Sequence, residues 1–152
     1  MSFGSGGSVA AREVALWHHE FKGTADTQPT HIYVGLSTTD PLQDGSGITE
    51  PSTGGYARVI CDSWTVSGSI TNQNSVADAA GVNAQNTSEI DFGTPSADWG
   101  TIAYAFTADA STSGNIRQVC KLDVAQLCNA GNPVSIAAGA LKFQKGWLTP
   151  HS

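Results

Sequence analysis

The carboxylates and histidines of this chain are its best candidates for chemistry, and their spacing tests several kinds of it. "DPLQDGSGITE" holds Asp40, Asp44 and Glu50 around glycines, as a calcium loop would. With Asp40 at the first position of an EF-hand, Leu42 falls at the third and Pro51 at the twelfth, where oxygen ligands are required. The EF-hand pattern therefore fails. A looser site on Asp40, Asp44 and Glu50 is the alternative to plain turn chemistry, in which Asp and Gly hold the backbone locally. The histidines are His18, His19, His31 and His151. His18 and His19 are adjacent on an expected helix, about 100° apart, a poor geometry for chelating one metal. Neither HExxH nor GxSxG occurs, so neither a zincin nor a serine-hydrolase elbow is indicated. Asp91, Asp98 and Asp109 flank expected strands. A glycosidase needs two carboxyls roughly 5 to 9.5 Å apart, and Asp98–Trp99 with Asp109 could alternatively bind a sugar at a sheet rim. The simpler role for these acids is to end strands and shape turns. Cys61, Cys120 and Cys128 are odd in number and lack CxxC spacing, which points to small buried hydrophobes rather than a disulfide framework or zinc site.

Composition narrows the classes further. The chain has 152 residues, 13% of them charged, with a net charge of −6. Seven basic residues are scattered without a cluster, so no phosphate-binding surface is expected. No run of about 20 apolar residues is present, and no membrane span is expected. "MSFGSGGSVAAR" lacks the basic start and apolar stretch of a secretory signal.

The elements that must position these residues are mostly strands. "MSFGSGGS" (residues 1–8) reads as a flexible arm that orders against a partner. In "VAAREVALWHHEFKG", Val14, Trp17 and Phe21 share one face, with Val9 or Ala10 a turn earlier. Ser8 is the expected N-cap and Gly23 the expected stop. This gives one helix over 9–22, packed on the edge or end of a sheet. "HIYVGLS" alternates with Ile32, Val34 and Leu36 on one face. In "YARVICDSWTVS", Tyr56, Arg58, Ile60 and Asp62 alternate against Ala57, Val59 and Cys61. Gly68 to Thr87 is polar and carries at most a weak strand. Ile90 and Phe92 are in phase. "WGTIAYAFTAD" sets Ile102, Tyr104 and Phe106 against Thr101, Ala103 and Ala105. "NIRQVCKLDV" and "NPVSIAAGALKF" supply further strands. In the last, Val134, Ile136 and Ala138 have one parity and Leu141 and Phe143 the other, so a bend is expected at Gly139. Short strands, Gly/Pro turns and one helix predict a mainly β, jelly-roll-like sandwich over 9–144, with a tail over 145–152.

"HIYVGLSTTDP", "GGYARV", "IDFGTPSADWGTIAYAFTADASTSGN" and "NPVSIAAGALKF" occur in this order across residues 9 to 143. Together they resemble a family of tailed-bacteriophage structural proteins. Departures from its pattern are the Asn74–Asn86 region, "NIRQVCKLDV" in place of a simpler strand, and the tail beyond Phe143. The resemblance implies a virion component rather than an enzyme, with no cofactor, metal, nucleic acid or membrane partner. Such proteins are often labelled tail or tail-fibre proteins, and they are also similar to capsid cement proteins. The short chain and the absence of fibre repeats favour a decoration protein on the outer capsid, made in the host cytoplasm and binding the major capsid protein and itself as a homodimer. A tail-associated or receptor-binding role is the alternative, and a carbohydrate-binding domain a further one. Met1, Ser2 and Phe3 in the arm and Trp147 and Leu148 in the tail are the expected partner contacts.

Overall fold

The computed structural model describes residues 1–4, 6–67 and 82–145. A five-stranded antiparallel sheet runs in the order β1 (Gly7–Ser8), β8 (Ile116–Cys128), β7 (Gly100–Ala108), β2 (Tyr33–Ser37), β3 (Val59–Ile60). Opposite it stand a three-stranded sheet, β10 (Lys142–Lys145), β5 (Val82–Asn86) and β4 (Trp64–Ser67), and a two-stranded one, β6 (Ile90–Asp91) with β9 (Ser135–Ile136). One apolar cluster joins the layers: Val34 and Leu36 of β2, Ile102 and Ala105 of β7, and Cys120 and Leu122 of β8 meet Ile90, Ile136, Leu141 and Phe143. The fold is thus mainly β and sandwich-like with one helix, α1 (Ala10–Lys22).

The parity break in the last strand is real. Val134, Ile136, Leu141 and Phe143 are all buried although their parities differ. Gly139 sits at φ 73°, a left-handed backbone that costs other residues roughly 1–2 kcal/mol. There the chain leaves the β6–β9 pair and enters the β10–β5–β4 sheet. Asn86, fully buried, holds this corner. Its Nδ2 donates to the Ser88 and Ala137 carbonyls at 2.8 and 2.9 Å, and its Oδ1 accepts from the Leu141 N–H at 3.0 Å. The Gly139 N–H donates to the Asn86 carbonyl at 2.7 Å. The polar 68–87 stretch therefore ends in a central strand, β5, whose partners are β4 and β10.

β7 departs from its expected alternation. Between the pairs Ile102↔Gln126 and Tyr104↔Lys121, Ala103 alone faces residues 122–125, an irregularity that resets the register. Ile102 and Ala105 consequently both join the main core. Tyr104 is only half-buried and donates its hydroxyl to Asp40 at 3.2 Å. Phe106 is buried on the other face of the sheet, outside that cluster. Gly35, its ladder partner, admits the ring: a Cβ there would lie 2.3 Å from Phe106 Cζ.

Three expectations for the N-terminal region change. The arm is laid along β8 rather than left loose: Gly7 and Ser8 pair with Val119 and Gln118, and Phe3 bridges Leu122. Since the Ser8 backbone is committed to this ladder, it does not cap α1. Val9 does, in an extended conformation and without a side-chain bond, while the Ala10 N–H finds the Gln43 carbonyl at 2.8 Å. The helix stops at Gly23, as expected. Its apolar face, however, does not pack on the sheet. No residue of α1 is buried, and Val14, Trp17 and Phe21 are 54%, 61% and 70% exposed.

Candidate interaction surfaces

The acids singled out by the sequence are dispersed, and each is engaged in local structure. Asp40 accepts from the Leu42 N–H at 2.9 Å, and Asp44 accepts from the Ser46 N–H and hydroxyl at 2.9 and 2.7 Å. Asp91 accepts from the Gly93 N–H at 2.8 Å. Asp98 receives the Ala130 N–H at 2.8 Å and so clips the β8–β9 turn. Asp109 accepts from the Asn115 N–H at 2.7 Å and from its side-chain amide at 2.9 Å. Burial works to raise the Asp109 pKa, but these bonds and Arg117 outweigh it and hold the carboxyl below its ordinary value. Asp40, Asp44 and Asp91 form Asx turns two residues on, while Asp98 and Asp109 tie across longer connections. Trp99, the expected sugar platform, is 4% exposed and packs edge-on against Tyr56, with ring centroids 5.4 Å apart. Asp98 and Asp109 therefore do not frame an aromatic sugar site.

Among the described residues, no three His, Cys, Asp or Glu side chains gather as a metal cluster. His18 and His19 lie exposed on α1, and His151 lies outside the described residues. His31 Nδ1 contacts Asp62 at 2.6 Å, and this bond lowers the Asp62 pKa. The three cysteines are free and buried. Burial pushes the Cys120 thiol up to about 12, leaving it a neutral thiol that contacts the Gly4 carbonyl at 3.0 Å.

Glu50, assigned by the sequence to a loose calcium loop, instead meets Arg58 in a two-pronged pair, Nε–Oε1 3.0 Å and Nη2–Oε2 2.7 Å. Arg58 Nη1 donates to the Ala110 and Ser113 carbonyls at 2.9 and 2.7 Å. Its guanidinium carbon lies 5.1 Å from the centroid of the Phe106 ring. Tyr56, from the same "GGYARV" segment, accepts the Leu36 N–H at 2.7 Å and donates to Glu50 at 2.8 Å. Burial raises its pKa, so it stays a neutral phenol. One cation thus clasps the long 38–58 loop, the 109–115 turn and the outer face of β7.

What remains at the surface is mostly unpolarised. The arc of β8 carries Val124 at 79% and Leu127 at 60% exposure. α1 carries the apolar stripe described above, with Trp17 and Phe21 stacked at 5.1 Å. A cleft of about 610 Å³ lies between the large sheet and β4–β5, and includes Arg12, Asp26, Asp62, Trp64 and Arg117. Its charges are largely spoken for: Arg12 pairs with Asp26 at 2.5 Å, and Arg117 lies 3.9 Å from Asp26 and 3.8 Å from Asp109. Of the expected contact residues, Met1 and Phe3 are half-buried against the chain's own core, and the Ser2 hydroxyl donates to Asp123. Trp147 and Leu148 lie outside the described residues. The exposure of Val124 escaped the sequence reading because Leu122 and Val124 have the same parity, and only the irregularity opposite Ala103 separates them.

A family model described as podophage GP4 fiber I protein gp80 matches residues 8–144. The chain belongs to this family, within the tailed-phage structural proteins that its sequence motifs resemble. No curated protein matches the chain significantly.

Proposed function

We propose that this member of the gp80 podophage fibre family is a non-catalytic structural module of the virion, incorporated in a fibre and working by protein–protein association. The family match over 8–144 is the observation that carries this reading. The geometry supports it. The carboxylates expected to do chemistry shape turns or clasp loops, and the cysteines are buried neutral thiols. The most exposed large apolar residues include Trp17 and Phe21 on α1, Val66 on β4 and Val124 and Leu127 on β8, where a neighbouring subunit can cover them. A module repeated in a particle binds through many modest contacts, so avidity replaces individual strength.

A capsid-decorating role, bound to the major capsid protein, is the second reading. A sandwich with no shaft repeat among the described residues favours it. Reconstruction of the phage particle with quantitation of this chain tests both. Density on the tail or its fibres, at a small multiple of the tail symmetry, supports the fibre reading. Hundreds of copies on the capsid surface would replace it with decoration, and absence from the particle would refute both.

A further inference from the structure

The two layers of the sandwich part at one end, and the residues there break the inner-face pattern. Across the large sheet, Leu36, Ala105 and Cys120 form one inward row and belong to the core. The next inward row is Val34, Thr107 and Gln118. Side chains two apart on a strand share a face, so Thr107 and Gln118 occupy positions that the pattern gives to apolar residues. On the opposite layer, Trp64 and Val66 share a face of β4, and the Trp64 ring packs against the core, its centroid 5.8 Å from that of Phe143. Val66 is nevertheless 66% exposed, because the cleft of about 610 Å³ opens there. Thr107, Gln118, Trp64 and Val66 all line it, and its volume lies in the range of small-molecule sites, roughly 300–1,000 Å³.

The polar wall is enclosed but uncommitted. Thr107 is 3% exposed, and neither its hydroxyl nor the Gln118 amide makes a side-chain hydrogen bond among the described residues. Groups so placed are uncommon, because nearly all buried polar groups are paired. Arg117, with its side chain 18% exposed, lines the same cleft. Asp26 and Asp109 approach it at 3.9 and 3.8 Å, which steadies the guanidinium by charge but exceeds hydrogen-bond length. Its N–H donors stay open. Trp64 on the facing wall is fixed in place, since its indole N–H donates to the Cys61 carbonyl at 2.6 Å.

These groups state what would fit. The ligand must present an apolar side to Trp64 and Val66, and groups that both donate and accept to Thr107, Gln118 and Arg117. The lining holds two cations, Arg12 and Arg117, against two anions, Asp26 and Asp62, so it selects no charge. A pyranose ring divides in this way. Its C–H groups suit the electron-rich face of an indole, and its rim carries hydroxyls that donate and accept. We propose that the cleft between the large sheet and β4–β5 is a binding site for a neutral saccharide, with a sugar ring against Trp64 and Val66 and its hydroxyls on Thr107, Gln118 and Arg117.

Saturation-transfer difference NMR of the full chain tests this, with neutral oligosaccharides of glucose, galactose, mannose and N-acetylglucosamine at millimolar concentration as probes. Saturation of the ring protons of at least one is expected, and calorimetric titration of that sugar gives its affinity. Thr107→Val combined with Gln118→Ala should weaken it about tenfold or more, as two hydrogen bonds are lost, while Trp17→Ala on α1 should not change it. Thr107→Val alone should leave the melting temperature unchanged or raised, because its hydroxyl bonds nothing in the fold. Absence of binding by every probe overturns the proposal. So does binding that the double variant leaves unchanged, or binding confined to sialylated oligosaccharides run as charged comparators. A lowered melting temperature for Thr107→Val would also overturn it, by assigning the hydroxyl to the fold. Because the readout is binding in solution, it stands or falls separately from the chain's place in the particle.

Discussion

α1 and the polar knots of the sandwich invert the usual distribution of polarity. In α1, Trp17 and Phe21 face water. In the body, Asn86 and Arg58 are enclosed, and the polar groups of each find protein partners. The difference lies in what each region has to hold. Asn86 and Arg58 each tie together segments far apart in sequence, at a corner and a loop clasp where no regular ladder reaches. Enclosing a polar group is stabilising there only because its hydrogen bonds are complete. α1 ties nothing together through its apolar seam, so the body is complete without it. Apolar periodicity thus identifies a face that prefers cover, while the choice between covering it within the chain or with another chain is made by tertiary packing.

The contrast is broken most strongly at Arg58. Arg58→Ala leaves the partly buried Glu50 carboxylate without its cation and unties the Ala110 and Ser113 carbonyls. Loss of one partner of a buried pair costs about 3 kcal/mol, discounted for the partial exposure of Glu50. For a domain of this size, the melting temperature should fall by roughly 6–12 °C. Calorimetry giving less than about 1 kcal/mol would show that the clasp is ornamental. Asn86→Ala comes next. It strands the Leu141 N–H and the Ala137 carbonyl at the corner and should cost about 2–3 kcal/mol, read from urea unfolding with an unchanged m-value. A cost near zero would mean that the corner holds by Gly139 alone.

These two residues also mark what a sequence reveals. The Gly139 corner was legible because Ile136 and Leu141 are both apolar at conflicting parities, a conflict that period-two geometry must resolve. The residue that secures it, Asn86, was not, because "VNAQN" shows no apolar alternation and its strand is fixed by β4 and β10. The phase of Ile90 with Phe92 was readable for the same reason as the corner. The inversion of Tyr104 and Ala105 was not, because an irregularity opposite Ala103 leaves no mark on either strand alone. Asp98 and Asp109 were placed correctly at turns by residue type. The clasping role of Glu50 required Arg58, eight residues on, and two carbonyls more than fifty residues on from Arg58. The ends of α1 were within a residue of their positions, since Gly23 is a local signal, while its outward orientation depends on where Val9 and Asp26 anchor it.

That anchoring gives a smaller and local effect. The Arg12 guanidinium holds the Asp26 carboxyl below the ordinary 3.8, with further help from Arg117 and His19. A carboxyl lowered in the folded state contributes its stabilisation above the ordinary value and loses it as pH falls through the lowered one. Protection of the α1 amides, measured against their intrinsic exchange rate, should therefore fall as the pH drops below about 3.8, ahead of that of β7. Asp26→Asn should fray α1 at neutral pH and abolish this step. Synchronous exchange of α1 and β7 at every pH would show that the helix is part of the body's cooperative unit and end the contrast.

The smallest effect is the sharpest discriminator. Trp17→Ala removes the largest side chain of α1, yet in dilute protein it should change stability by no more than about 0.5 kcal/mol, as for an exposed site. Its stacking on Phe21 is within the helix and solvent-exposed, so little is lost with it. The same volume removed from a core aromatic would cost about 3–5 kcal/mol. Equilibrium unfolding of Trp17→Ala beside Asn86→Ala makes the comparison direct. If a residue's size governed its contribution, tryptophan would weigh more than asparagine. If enclosure governs it, the order reverses, and Asn86→Ala should cost more than Trp17→Ala at every protein concentration.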